Sequence, residues 1–191
     1  MSVAERLFIR RLKQRDEQAF NEMVRQYGDK VFSLVYRMIG NRAEADDVAQ
    51  DVFITVFKTI DTFRGEAKFS TWLLRIAANH SKNRIKYLAR RPTDTNGDGN
   101  DGVAANPGTP PVQGHIAGPD AMLEAAEADR LMQEGIAELD EEHRLLVILR
   151  DVEELSYQEI GDITGLAEGT IKSRLHRARM AIKEKLDKNT R

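Results

Sequence analysis

Apolar residues return at steps of three and four through most of this chain, the spacing of helices with one buried side. Phe20, Met23, Val24, Tyr27, Val31, Leu34, Val35 and Met38 form one such series, and Gly40-Asn41 ends it. Ala49, Val52, Phe53, Val56, Phe57 and Ile60 form the next. A third helix is predicted from Ser70, carrying Trp72, Leu73, Ile76 and Ala77 inward to about Ala89, short of Pro92. Further on, an acidic helix over Asp120 to Glu138 precedes one over Glu142 to Asp151, whose core face is Leu145, Leu146 and Leu149. Ser156 and Glu159 fit a capping box, in which hydroxyl and carboxylate satisfy each other's free amides at a helix start. Ile160 and Ile163 give that short helix its inner side, Thr164-Gly165-Leu166 breaks it, and a helix from Glu168 carries Ile171, Leu175, Ala178 and Ile182. No stretch alternates apolar and polar, so the fold class is all-α, ending in a helix-turn-helix.

The two helical groups are separated by a different kind of sequence. All five prolines and six of the thirteen glycines fall between Pro92 and Pro119, where there is no aromatic residue, lysine or arginine. Such a composition predicts a linker, with a typical end-to-end distance of roughly 30 Å as a flexible coil. The expected organisation is a domain over 1–91, a linker over 92–119 and a helix-turn-helix domain over 120–191.

Charge sharpens this division. The formal net charge is only −2, but Phe63 to Arg91 holds eight basic residues against Glu66 alone. Gly169 to Leu186 holds six against Glu184, whereas Asp120 to Glu142 holds nine acids against Arg130. Each domain therefore has a candidate phosphate-binding surface, although basic helix faces also occur as plain solvated surface. With Ile171, Leu175, Ala178 and Ile182 buried, Thr170, Ser173, His176 and Arg177 point the opposite way, with lengths suited to base edges. Lys172, Arg174 and Arg179 flank them for phosphates, and Gly169 allows close backbone approach. In the first domain Phe69 and Trp72 stand beside basic residues, Asn79 and Asn83, a set able to stack on and hydrogen-bond unpaired bases. Core packing is the simpler account of Trp72, and the loop Gly65-Glu66-Ala67-Lys68 is the better candidate for receiving an extruded base.

Other chemistries find little support. The absence of cysteine excludes disulfides, thiolate zinc sites and cysteine nucleophiles, and His80, His115, His143 and His176 have no ligand-like spacing. There is no phosphate-cradling glycine loop, so neither catalysis nor a cofactor is expected. Met1 to Arg15 has no apolar signal-peptide core, and no run approaches the ~18 apolar residues of a spanning helix, so the cytoplasm is the expected location and membrane insertion is not expected.

Two stretches of the first domain, Asp46-Asp47-Val48-Ala49-Gln50-Asp51-Val52-Phe53 and Phe63-Arg64-Gly65 through Phe69-Ser70-Thr71-Trp72 to Asn79, resemble the extracytoplasmic-function sigma factors, the smallest members of the main bacterial sigma family. Leu155 to Gly161 and Gly169 to Arg179 match the same group in the second domain, in the same order and spacing. The resemblance implies a partner, core RNA polymerase, whose clamp helices would meet Asp47, Gln50 and Asp51. It implies that Lys68, Phe69, Ser70, Asn79 and Asn83 handle the melted downstream (−10) promoter element, with Arg90 and Arg91 on phosphate. Thr170, Lys172, Ser173, Arg174, His176 and Arg177 would read the upstream (−35) element, and an anti-sigma factor is expected as a controlling partner. His176 stands where some relatives have an aromatic residue, so the promoter sequence does not carry over. Two rivals stay open on the residues alone. One is a stand-alone helix-turn-helix regulator, which leaves Asp46 to Asn79 without a role; the other is a metal-dependent nuclease built on Asp46, Asp47 and Asp51.

Overall fold

The computed structural model describes residues 2–91 and 130–189, with the side chains of the last helix described to residue 185. The expected linker, 92–119, and the first part of the expected acidic helix, 120–129, lie outside the described residues. The first domain consists of α1 (Val3–Lys13), α2 (Glu17–Ile39), α3 (Arg42–Thr59), a 3-10 turn (Ile60–Thr62) and α4 (Phe69–Arg90). The second consists of α5 (described over 130–137), α6 (Glu141–Val147), a π turn (Ile148–Val152), α7 (Tyr157–Thr164) and α8 (Glu168–Asn189). No strand occurs among the described residues.

Local chemistry sets the helix ends. Ser2, Asp16 and Asn41 each accept a backbone N–H three residues on, which satisfies a donor that the first helical turn leaves free. Gly40 ends α2 at φ 82°, a left-handed cap that side chains rarely adopt. Arg15 also has positive φ, 61°, between α1 and α2. Its guanidinium donates to the Phe57 carbonyl at 2.6 Å and to the Asp61 carboxylate at 2.7 Å, tying that unfavourable turn to the end of α3.

The periodic residues build the core largely as their spacing predicts. Met23, Val31, Leu34, Val35 and Met38 of α2 meet Val52 and Val56 of α3 and Leu73, Leu74 and Ala77 of α4 in one buried cluster. Phe57 and Val24 depart from expectation, since both are exposed; Phe57 lies at the edge of its stripe. Helix α1 was not foreseen. Its Phe8, Ile9 and Leu12 sit among six charged residues within Val3 to Arg15, so the stripe is too short to stand out. In the second domain, the helix expected over Glu142 to Asp151 begins at Glu141 and widens after Val147 into the π turn.

The two domains pack against each other, with α4 against α7 and α2 against α6 and the π turn. Arg144 donates to the Met38 carbonyl at the end of α2 (2.6 Å). Lys30 pairs with Glu153 (3.3 Å), Arg37 reaches Gln133 (3.3 Å) and Lys68 bonds Glu159 (2.9 Å).

Candidate nucleic-acid interface

The helix-turn-helix is built at close quarters. Ser156 and Glu159 form the full capping box. The short α7 then turns at Gly165, φ 76°, where Thr164 Oγ1 donates to the Ile160 carbonyl and accepts from the Leu166 N–H. A Cβ on Gly161 would stand 3.3 Å from the Leu166 carbonyl oxygen and 4.0 Å from Ile171, so glycine there lets α7 and α8 cross closely.

On α8, Ile171, Leu175, Ala178 and Ile182 are buried, which leaves Lys172, Ser173, His176 and Arg177 exposed on the outer side. Thr170 is half-buried, and its carbonyl accepts the Ser173 hydroxyl at 3.0 Å. Two of the flanking cations are engaged within the protein: Arg174 with Glu142 across to α6, and Arg179 with Asp151. The Asp151 hydrogen bond raises the Arg179 pKa above its ordinary value. Lys172 bonds Glu168 at 2.6 Å, which raises its pKa, and lies 5.1 Å over the Tyr157 ring. A second cation over that ring is Arg150, at 4.9 Å. Lys172 is thus held at the α7–α8 junction with its ammonium charged.

The first domain presents two faces. Asp47, Gln50 and Asp51 are exposed together on α3, opposite the buried Ala45, Val48, Val52 and Val56. Ile54 and Phe57 continue that face as exposed apolar residues, a feature that sequence reasoning missed. Helical spacing from Gln50 would have found Ile54 and Phe57, since 50, 54 and 57 share one side. Asp47 approaches Arg84 of α4 at 3.9 Å, and Arg84 is bound more tightly by Glu44, which raises its pKa.

The second face runs along α4. Asn79, Asn83, Lys86 and Arg90 are exposed and fall on one line of the helix, and Arg91 follows at its end. Trp72 begins the same line, half-buried and packed on Phe63 (5.3 Å between ring centroids) and Phe69 (5.9 Å). Phe69 itself corrects an expectation: it is wholly buried, edge-on to Phe8, Tyr27 and Phe63, and offers no surface to a base. The reason is positional, since Phe69 opens α4 on its inner side, whereas Lys68 before it points outward and Ser70 after it is half-buried. Lys68 does not stand free. Its bond to Glu159 raises the lysine pKa and, with the Ser156 N–H, holds the Glu159 carboxyl down at about 2.

Comparison with known proteins agrees with this arrangement. The sequence profile of Sigma-70 region 2 matches residues 23–91, and that of Sigma-70 region 4 matches residues 129–182. The chain is 36% identical to the ECF RNA polymerase sigma factor SigW of Bacillus subtilis over 181 residues, covering 93% of this chain and 94% of the relative. It is 34% identical to the ECF RNA polymerase sigma-E factor of Escherichia coli K12 over 184 residues, covering 96% and 95%. In fold it is similar to CnrH, solved with the cytosolic domain of CnrY (TM-score 0.66, 24% identity, 96% and 97% of the two chains). It is likewise similar to RpoE of Bartonella quintana, solved with the anti-sigma factor NepR (0.66, 23%, 88% and 96%). With two sigma profiles in order along it and relatives this similar over nearly its whole length, the chain belongs to the ECF group of RNA polymerase sigma factors.

Proposed function

We propose that this protein binds core RNA polymerase through α3 and directs it to promoters by reading two DNA elements with two helices. The exposed face of Asp47, Gln50 and Asp51, extended by Ile54 and Phe57, combines acid with apolar surface and suits a basic, partly apolar helical partner. The α8 face carries the reading: Ser173, His176 and Arg177 project from a helix held by its opposite stripe, as a major-groove helix requires. Thr170, Lys172 and Arg174 border that face. Lys68, Ser70, Asn79, Asn83, Arg90 and Arg91 handle the melted downstream strand, where a captured base offsets the few kcal/mol of unstacking. Binding energy thus does the melting, and the protein acts as an initiation factor in the cytoplasm rather than as an enzyme. That relatives in fold were solved with anti-sigma partners supports an anti-sigma factor as this chain's regulator.

Run-off transcription with purified core polymerase and genomic promoter fragments tests the reading. Defined transcripts that depend on the added protein are expected. Absence of both transcripts and core binding would leave a stand-alone helix-turn-helix regulator.

A further inference from the structure

We propose that α1 sets base selection at the downstream element: its Glu5 and Lys13 hold the two ends of the loop Arg64–Lys68, fixing the shape of that loop before a strand arrives. Both are positioning residues that act through the loop. This role rests on the sigma reading for the loop's task, and on contacts within the first domain for the bracket itself.

The loop is short and closed at its base. It leaves the core at Phe63 and re-enters at Phe69, rings that are 4% and 0% exposed and pack edge-on with centroids 5.6 Å apart. Between them Gly65 turns the chain at φ 78°, and Arg64, Glu66 and Lys68 face solvent. The residues from Arg64 to Lys68 belong to neither helix nor strand, so their course depends on what holds the two ends.

Helix α1 holds both. At one end the Lys13 ammonium donates to the Phe63 carbonyl at 2.8 Å. At the other, the Phe69 N–H donates to Glu5 Oε1 at 3.5 Å, across 64 positions of sequence. That bond meets a local need, since Lys68 makes no side-chain cap for α4 and the first turn of α4 has no acid of its own. Glu5 is half-buried, and the Tyr27 phenol is raised above its ordinary value by burial and then by the Glu5 charge, which places that carboxylate against the domain. Phe8, one turn beyond Glu5, packs edge-on against Phe69 at 5.9 Å. Glu5, Phe8 and Leu12 share one side of α1 and Lys13 lies beside them, so a single helix spans the base of the loop.

The grip extends to the strand line. Trp72 packs on Phe63 at 5.3 Å and on Phe69 at 5.9 Å, so the rings at the ends of the loop also support the first residue of the line through Asn79 and Asn83. Taking any base out of the stack costs unstacking energy, and selection comes from how much better the loop fits one base than the others. A loop with fixed ends keeps that difference, whereas a loop whose ends move fits all bases more evenly. Loss of either α1 contact should therefore flatten the preference at the captured position and leave the faces of α3 and α8 as they are.

The test is run-off transcription by holoenzyme formed from the full chain and core polymerase. The template is a promoter that the unmodified protein transcribes, with every single-base change made across its downstream element. Glu5→Ala and Lys13→Met should each reduce the advantage of the preferred base at one position by about five-fold, the effect of losing one positioning hydrogen bond. Upstream-element preference and core binding should stay as in the unmodified protein. Glu5→Gln, whose amide oxygen can accept the same N–H, should keep most of the preference. Equal loss on every fragment, as a merely structural role would give, or an unchanged base profile in Glu5→Ala, would overturn the proposal. Amide exchange in the free chain decides the bracket separately: the Phe69 N–H should exchange about ten-fold faster in Glu5→Ala than in Glu5→Gln, and equal rates would remove Glu5 from the end of the loop. Should the unmodified protein give no transcripts, the sigma reading falls and base selection with it, while the exchange rates still decide whether α1 holds the loop.

Discussion

Helices α4 and α8 are both 22 residues long and both basic on one side, yet they hold their functional residues in opposite ways. Helix α8 rests on the protein by a single stripe, Ile171, Leu175, Ala178 and Ile182, and turns the remainder of its surface outward. Helix α4 is gripped on two sides, by the first-domain core through Phe69, Leu73 and Ala77 and by the second domain along Lys68 to Lys82. The line from Trp72 through Asn79, Asn83 and Lys86 to Arg90 faces solvent, as do Arg75, Tyr87 and Ala89 beside it. A helix held on one side shows its working face in the sequence period, and a helix held on two does not. On the function proposed above, the same contrast separates a surface that reads duplex from one that handles a strand that must be opened first.

The sharpest break of this comparison is Phe69→Ala. If α4 starts on a buried ring, the variant should lose about 3–5 kcal/mol of stability, read as a lower midpoint in thermal or urea unfolding. Unchanged stability with lost strand binding would return Phe69 to the DNA. Arg177→Ala, on α8, should behave in the opposite way. It should weaken upstream-element binding by ~1–3 kcal/mol in a competition assay with unchanged unfolding and unchanged core binding. Equal loss on all sequences would mean phosphate contact rather than base reading. Ser156→Ala removes one half of the capping box and should cost ~1 kcal/mol in the stability of the second domain, with Ser156→Asp retaining most of it.

The smallest effect is one of pH. The folded Glu159 carboxyl titrates at about 2, below its ordinary 4.5, because Lys68 and the Ser156 N–H favour its charged form. Its contribution to stability is therefore complete above about pH 5 and is lost as pH falls toward 2. Lys68 is 71% exposed at its side chain, so solvent screening keeps the ion-pair part under about 1 kcal/mol. Unfolding of the unmodified protein and of Glu159→Gln should converge as pH is lowered through that window. Parallel curves would remove Glu159 from the linkage.

Much of this was legible along the chain. The core stripes of α2, α3 and α8, the capping box and the turn at Gly165 follow from three- and four-residue spacing and from residues with one favoured local role. Three things were not. Helix α1 buries only Ile9 and Leu12 fully, too few to make a period. Phe69 stands beside polar and basic residues in sequence, while the side it faces is decided by Phe8, Tyr27 and Phe63, up to 61 positions away. The contacts between the two domains include single pairs such as Lys30 with Glu153 and Lys68 with Glu159, which carry no repeating signature. For the candidate sites, type and spacing placed Lys172, Ser173, His176 and Arg177 on the exposed side of α8, but they did not show that Arg174 and Arg179 are engaged by Glu142 and Asp151.

The π turn at Ile148–Val152 makes chain length at that point a quantity the protein must conserve. There the Glu153 N–H reaches back five residues to the Ile148 carbonyl, and Arg150 and Asp151 face Tyr157 and Arg179. Removing one residue would let the Glu153 N–H close an ordinary α-turn on the Ile148 carbonyl and shift the side chains within the turn by up to about 100° about the helix axis. Substitutions here would change individual contacts, but a single-residue deletion would disturb the contacts of Arg150 and Asp151 together. Among homologous chains this segment should accordingly vary in composition while resisting any change in length.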